Sequence, residues 1–143
     1  MVTDSYNYKD TFEYGRKLGE EVKGGEVFLL YGDLGVGKTV FTQGFAKGLG
    51  IDEPVVSPTF TVLKEYYEGR LPLYHFDCYR VEDSSEMEEI GFDDKLGGEG
   101  VCLIEWPGQI DDILPSDAVK IIIEKDLEKG FDYRRITMSY PEL

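Results

Sequence analysis

The residues whose types and spacing most clearly indicate a chemical function occupy eight consecutive positions, 32–39, which read GDLGVGKT. They fit the pattern G-x-x-x-x-G-K-[ST] of the phosphate-binding loop in nucleoside triphosphatases. Glycines at this spacing let consecutive backbone N–H groups surround phosphate oxygens, because no β-carbon obstructs the approach. Lys38 would reach the β- and γ-phosphates, and the Thr39 hydroxyl could bind Mg²⁺. The pattern therefore predicts a site for a nucleoside triphosphate and its magnesium ion.

Two carboxylates, each at the end of an apolar run, are candidates for the chemistry beside this loop. Glu105 follows four apolar residues, 101–104, as the acid of the second nucleotide-binding motif does. An acid at the carboxyl end of a parallel strand faces the ligand crevice and can hold Mg²⁺ beside Thr39. Asp77 closes residues 73–76 in the same way and could hold a metal-bound water or orient the attacking water. A surface glutamate and a turn aspartate remain open as alternatives.

The elements on either side of the loop are those that such a loop requires. Val27–Tyr31 is an apolar run of strand length, which is typical of a buried parallel strand. Residues 39–49 carry apolar side chains at helical spacing, and Gly50 follows them as a stop signal. A helix that begins at the loop adds the positive end of its dipole to the anion site. This order favours a nucleotide site over a simple glycine-rich turn.

The rest of the pattern predicts an α/β fold with a mixed, partly parallel central sheet. Apolar spacing predicts a helix over 11–22, and a capping box at 85–88 predicts a short acidic helix that ends near Gly91. Strand-like runs occupy residues 59–67, 71–78, 101–104, 119–124 and 133–139. Strands alternate with helices first and form hairpins later, as in mixed sheets. No linker or repeat interrupts the pattern, so we expect a single domain over residues 1–143.

The composition restricts the location and the partners. The chain has 15 Lys and Arg against 29 Asp and Glu, a net charge of −14, so we expect no strong direct binding to RNA or DNA. There is no apolar run of membrane-spanning length and no recognisable secretory leader, so we expect no membrane association. Cys78 and Cys102 lie in apolar runs, which favours buried free thiols in a reducing compartment. We expect a cytoplasmic protein.

Four segments together resemble one protein family. They are the loop at 32–39, SPTF at 57–60, HFDCYR at 75–80 and IEWP at 104–107. Their order and spacing are similar to those of the TsaE (YjeE) proteins, small bacterial ATPases of tRNA threonylcarbamoyladenosine synthesis. The resemblance extends from Thr11 to the last strand and implies a P-loop NTPase-like, three-layer domain that binds ATP and Mg²⁺.

The resemblance also implies a role for each matching residue. Those that would line the ATP phosphates are Gly35, Val36, Gly37, Lys38, Thr39 and Val40. Thr39 and Glu105 would coordinate Mg²⁺, and Asp77 would be the catalytic carboxylate beside Lys38. Those that match the family's switch-type loop near the γ-phosphate are Ser57, Pro58 and Thr59. From the residues alone, that segment could equally be a turn with two useful hydroxyls.

The assignments outside these segments leave more open. Thr11 and Arg135 match positions that flank the base or sugar of the nucleotide, although Arg134 is an equally reasonable register. Trp106 could anchor a partner or belong to the core. A lone histidine between two aromatic residues, as His75 is, is more often packed and hydrogen-bonded than catalytic.

The function implied by the resemblance is threonylcarbamoyl modification of adenosine 37 in ANN-decoding tRNAs. TsaD and TsaB would carry out the transfer, and this chain would dock on that pair and reset it by hydrolysing ATP. The enzymatic alternative is a small-molecule kinase, although the five arginines form no lid-like cluster and Arg80 alone could contact phosphate. A nucleotide-gated binding module is the third possibility. A GTPase is disfavoured, because Asn7, the only asparagine, is followed by Tyr8 rather than by lysine.

Overall fold

The computed structural model describes residues 1–58 and 61–141. The strands are β1 Val2–Ser5, β2 Val27–Tyr31, β3 Leu63–Tyr66, β4 Leu73–Asp77, β5 Val101–Glu105, β6 Val119–Lys125 and β7 Arg134–Ser139. The α-helices are α1 Tyr8–Glu21, α2 Lys38–Gly48 and α3 Phe92–Leu96, and two 3₁₀ helices cover Ser84–Ile90 and Pro107–Ile113. Across the described ranges, none of the helices is long and apolar enough to cross a bilayer.

The seven strands form one mixed sheet in the order β1-β7-β6-β2-β5-β4-β3. Its centre is parallel, since β2 pairs in parallel with both β5 and β6, and β5 pairs in parallel with β4. The edges are antiparallel through the pairs β3–β4, β6–β7 and β1–β7. All of β5 and nearly all of β2 is buried, as expected of strands covered on both faces. The predicted α/β fold with a partly parallel sheet is confirmed.

Helices cover the two faces of the sheet with separate apolar cores. On one face, α1 and α2 pack on the sheet through residues such as Phe41 and Phe45, which are fully buried. On the other face, α3 and the two 3₁₀ helices bury Phe92, Met87 and Ile110. This gives the predicted three layers, and it holds the carboxyl ends of the parallel strands in a fixed arrangement.

The contact between α1 and α2 is made through backbone at four glycines. A β-carbon on Gly44 would lie 2.0 Å from the carbonyl oxygen of Phe12. A β-carbon on Gly48 would lie 2.1 Å from the carbonyl oxygen of Arg16. On α1, β-carbons added to Gly15 and Gly19 would lie 2.3 Å and 2.2 Å from carbonyl oxygens of α2. Only glycine fits such an approach, so these positions set the spacing of the two helices.

The strand β1 was not predicted from the sequence. It is a short and mostly polar edge strand, and its partner β7 lies at the other end of the chain. The Tyr133 hydroxyl donates to Asp4 Oδ1 at 2.5 Å, and the N–H of Met138 donates to the carbonyl of Met1 at 2.9 Å. Long-range pairing, which a local pattern cannot reveal, therefore places the first residues of the chain.

Three other predicted boundaries were wrong. The capping box consists of Asp83 and Glu86 rather than residues 85–88, and it begins a 3₁₀ helix instead of an α-helix. The helix predicted over 11–22 begins earlier, because the Asn7 side chain accepts the N–H of Asp10 and caps the first turn. The described part of the strand predicted over 59–67 is shorter, covering Leu63–Tyr66, and residues 59 and 60 lie outside the described residues.

Candidate nucleotide-binding site

The loop at 32–37 joins the carboxyl end of β2 to the first turn of α2, as predicted from the sequence. Gly35 and Gly37 have φ angles of 75° and 114°, in the left-handed region that glycine adopts without strain. The helix α2 begins at Lys38, so the positive end of its dipole lies at the loop. The local geometry is therefore that of an anion site at a helix N-terminus.

Lys38 is a buried cation at the first position of α2. Its side chain is 6% exposed, and within residues 1–58 and 61–141 no acceptor bonds its Nζ atom. The Nζ atom instead lies 3.8 Å from the centroid of the Trp106 ring. Burial lowers the pKa of Lys38, against the opposing negative charges of Glu105 and Asp77. A buried ammonium lacking an acceptor is costly, and a phosphate group would supply the acceptor, so the site fits a nucleotide.

Glu105 is a buried carboxylate at the end of β5 with two hydrogen-bonding partners. His75 Nε2 lies 2.7 Å from Glu105 Oε2, and Ser57 Oγ donates to the same oxygen at 3.1 Å. Burial opposes ionisation, but the bonds from His75 and Ser57 and the charge of Lys38 outweigh it and lower the pKa of Glu105. Because an ionised carboxylate only accepts hydrogen bonds, the network assigns the proton to Nε2 of His75.

Asp77 ends β4 directly beside Glu105 in the parallel register of β4 and β5. It is half-buried, and its Oδ1 atom accepts the N–H of Tyr79 at 3.0 Å. Burial raises the pKa of Asp77, and the negative charge of Glu105 adds to that effect despite the bond from Tyr79. A carboxylate with a raised pKa is a better proton acceptor, which suits a group that orients and deprotonates water.

The structure brings most of the predicted site residues together. A cleft of about 270 Å³ runs past Asp77 and is lined also by Ser57, Pro58, Tyr79, Arg80 and Trp106. The exposed Thr39 is the second residue of α2 and follows Lys38. The prediction for Thr59 lies outside the described residues. The contact of Ser57 with Glu105 connects the predicted switch segment directly to the predicted metal ligand.

Of the two residues predicted to flank the nucleoside, Thr11 lies on the other side of the loop and Arg135 does not. A cavity of about 340 Å³ is lined there by Asn7, Tyr8, Thr11, Gly35, Val36, Gly37, Val40, Asp132 and Arg134. Arg134 Nε donates to the carbonyl oxygen of Val36 at 2.7 Å, whereas Arg135 pairs with Asp126 at 3.1 Å. Neighbouring residues of a strand point to opposite faces, so the geometry favours the register in which Arg134 flanks the nucleotide. Thr11 is buried at this cavity, with its hydroxyl 2.7 Å from Ser5 Oγ.

The candidate metal ligands do not form a preassembled cage. Over the described part of the chain, no group of three or more His, Cys, Asp or Glu side chains could hold a metal ion. Mg²⁺ in nucleotide sites is commonly bound by one or two protein groups together with phosphate oxygens and water. The Thr39 hydroxyl and the Glu105 carboxylate are hard oxygen donors of this kind, so the donor chemistry fits a magnesium ion that arrives with a nucleotide.

Trp106 has a role that sequence reasoning missed. It directly follows Glu105 and has a φ of 55°, the one non-glycine residue of the described ranges with a positive φ. Its ring covers Lys38 and packs against the ring of Tyr79 with a centroid distance of 4.9 Å. Strained backbone of this kind persists where surrounding contacts fix it. The available signal was an aromatic residue immediately after the strand-end acid.

Comparisons with known proteins identify the family of this chain. The family model described as "Threonylcarbamoyl adenosine biosynthesis protein TsaE" matches residues 5–136. The Bacillus subtilis (strain 168) protein named tRNA threonylcarbamoyladenosine biosynthesis protein TsaE is 47% identical over 133 residues, covering 93% of this chain and 81% of that protein. A Treponema pallidum (strain Nichols) protein of the same name is 43% identical, covering 82% of this chain and 86% of that protein.

Among solved structures, the crystal structure of Bacillus subtilis YdiB is similar to this one with a TM-score of 0.85 at 39% sequence identity. The match covers 99% of this chain and 86% of that chain. Both the sequence and the fold thus agree over nearly the full length, as the four segments predict. The chain belongs to the TsaE family.

Proposed function

We propose that this protein is a magnesium-dependent ATPase of tRNA threonylcarbamoyladenosine synthesis and that it acts in the cytoplasm on a TsaB–TsaD complex. The observation that carries the ATPase part is the buried Nζ of Lys38 at a helix N-terminus beside two carboxylates. Among the residues that the structure describes, this atom has no hydrogen-bond acceptor. The pathway is supported by membership of a family whose relatives are named for threonylcarbamoyladenosine biosynthesis.

The chemistry follows from what each residue can do. The amides of the loop and Lys38 bind the β- and γ-phosphates and stabilise the charge that develops during transfer. Thr39 and Glu105 hold Mg²⁺, which when bound neutralises phosphate charge. Asp77 orients a water molecule and accepts its proton as the oxygen attacks the γ-phosphorus and the bond to the ADP oxygen breaks. To bind the phosphates, the Lys38 ammonium must move away from the Trp106 ring.

The surface around the cleft supports action together with a partner. Leu34 is 69% exposed and Tyr79 is 48% exposed, and both line the cleft at the predicted γ-phosphate end. These two side chains leave apolar surface at the cleft that a second protein could cover. The net charge of −14 favours a protein partner with a basic surface over direct contact with tRNA.

The test is phosphate release from ATP with and without Mg²⁺, for the protein alone and with purified TsaB and TsaD. Lys38→Ala should abolish phosphate release. The control is Lys47→Ala, which also removes a lysine of α2 but one that is exposed and paired with Asp52, and it should leave release unchanged. Release that rises with the two partners supports the proposal. Phosphate transferred to an added nucleoside or sugar, with no effect of the partners, would instead establish the kinase.

A further inference from the structure

A fully buried histidine, His75, contacts the predicted metal ligand Glu105. His75 lies in the middle of β4, paired with Leu103 of β5 on one side and with Lys64 of β3 on the other. It is 1% exposed, and its Nε2 atom lies 2.7 Å from Oε2 of Glu105. Within the described ranges, its second nitrogen, Nδ1, is buried without a hydrogen-bonding partner. An unsatisfied buried nitrogen destabilises the fold, so packing alone does not explain a histidine here.

The contacts to Glu105 are distributed unevenly over its two oxygens. Within residues 1–58 and 61–141, the side-chain hydrogen bonds described for this carboxylate, from His75 and Ser57, both end on Oε2. A carboxylate held at one oxygen keeps its orientation and presents the other oxygen, Oε1, to a ligand. Histidines and carboxylates in such pairs orient metal ligands in many proteins, and their loss typically weakens metal affinity by roughly 10–100-fold.

We propose that His75 is a positioning residue that fixes the Glu105 carboxylate through Oε2 and leaves Oε1 for the magnesium ion of Mg-ATP. Ser57, at 3.1 Å, is the weaker and more exposed of the two donors, and it lies on the predicted switch segment. The contact from His75 does not depend on the position of that segment, so it would hold Glu105 even without Ser57. The proposal rests on the proposed function, since it concerns the same metal site.

The test measures binding rather than turnover. Affinity for ADP is titrated calorimetrically in EDTA and in Mg²⁺, and Mn²⁺ binding in the presence of ADP is followed by electron paramagnetic resonance. His75→Leu should weaken apparent Mg²⁺ and Mn²⁺ affinity by roughly 10–100-fold and leave ADP affinity in EDTA within about twofold. His75→Gln, whose amide nitrogen is as many bonds from the backbone as Nε2, should restore most of the loss. His75→Asn is one bond shorter and should not.

The control is Phe76→Leu, because Phe76 is equally buried on the same strand but packs on the opposite face against Phe92. It should lower the melting temperature without changing metal affinity. If His75→Leu does not fold, the comparison of Gln with Asn decides, and equal metal affinity in those two variants overturns the proposal. Normal metal affinity in His75→Leu also overturns it. If the unmodified protein binds no ADP in either condition, the proposed function itself fails.

Discussion

Replacing Gly44 by alanine tests whether backbone contact sets the spacing of α1 and α2. The new β-carbon would lie 2.0 Å from the Phe12 carbonyl oxygen and 2.8 Å from its carbonyl carbon. Real β-carbons essentially never approach such atoms within 3.0 Å, so the helices would have to separate by about 1 Å. The clash involves backbone on the facing helix, which cannot change rotamer to avoid it.

The expected loss of stability can be worked from two opposing effects. Overpacking a rigid site costs about 1–3 kcal/mol and sometimes more, while alanine in a helix is about 1 kcal/mol better than glycine. Because the separation also loosens the contacts at Gly15 and Gly48, we place the cost at the upper end, giving a net loss of about 2 kcal/mol. For a chain of this size that corresponds to a fall in melting temperature of roughly 5–10 °C.

The assay is thermal and urea denaturation of the nucleotide-free protein, followed by circular dichroism. Gly108→Ala is the control, since a β-carbon there meets nothing within 4 Å, and its melting temperature should stay within about 2 °C. A melting temperature for Gly44→Ala equal to that of the control would refute the reasoning. Because Lys38 begins α2, the same variant should also bind ADP more weakly.

Three further outcomes follow from the site. The emission of Trp106, the only tryptophan, should change when ADP binds and draws Lys38 away from the ring, and calorimetric binding without a change in emission would contradict this. Arg134→Ala should weaken ADP binding about tenfold, as expected for loss of a charged hydrogen-bonding group, whereas Arg135→Ala should not; equal effects would reject the register. Asp77→Asn should raise the melting temperature at neutral pH. Burial raises the pKa of Asp77, so this carboxyl holds its proton more tightly in the folded state than in the unfolded state. The stability of the folded state therefore falls as the pH rises through the raised pKa of Asp77. A gain in melting temperature that persists in acid, where the carboxyl is protonated, would refute this cause.

The parts predicted well from the sequence were those with a strong local pattern. The loop at 32–37 follows the apolar strand β2, and the acids Asp77 and Glu105 end the strands β4 and β5. Parallel strands bring these carboxyl ends to one edge of the sheet. These positions need no knowledge of distant partners. Their catalytic and metal-binding roles stay predictions until nucleotide and metal are measured.

The parts that were not predicted depend on tertiary contacts. The choice between Arg134 and Arg135 requires the register of β7 on its neighbours, since a shift by one residue exchanges the two faces. The position of Trp106 over Lys38 depends on a left-handed backbone conformation, which a tryptophan in the sequence does not predict. His75 could be described from its neighbours only as a packed residue, because its partner Glu105 lies 30 positions away.

The pairing of β1 with β7 has a consequence for the newly made chain. The cavity beside the loop at 32–37 is lined by Thr11 from α1 and Arg134 from β7, so it is assembled from both ends of the sequence. A polypeptide whose synthesis has not reached β7 contains the loop at 32–37 but not the complete cavity. Contacts between such distant positions form late and slowly. Under the proposed function, ATP would bind only the complete cavity and would therefore stabilise only molecules whose synthesis has reached the last strand.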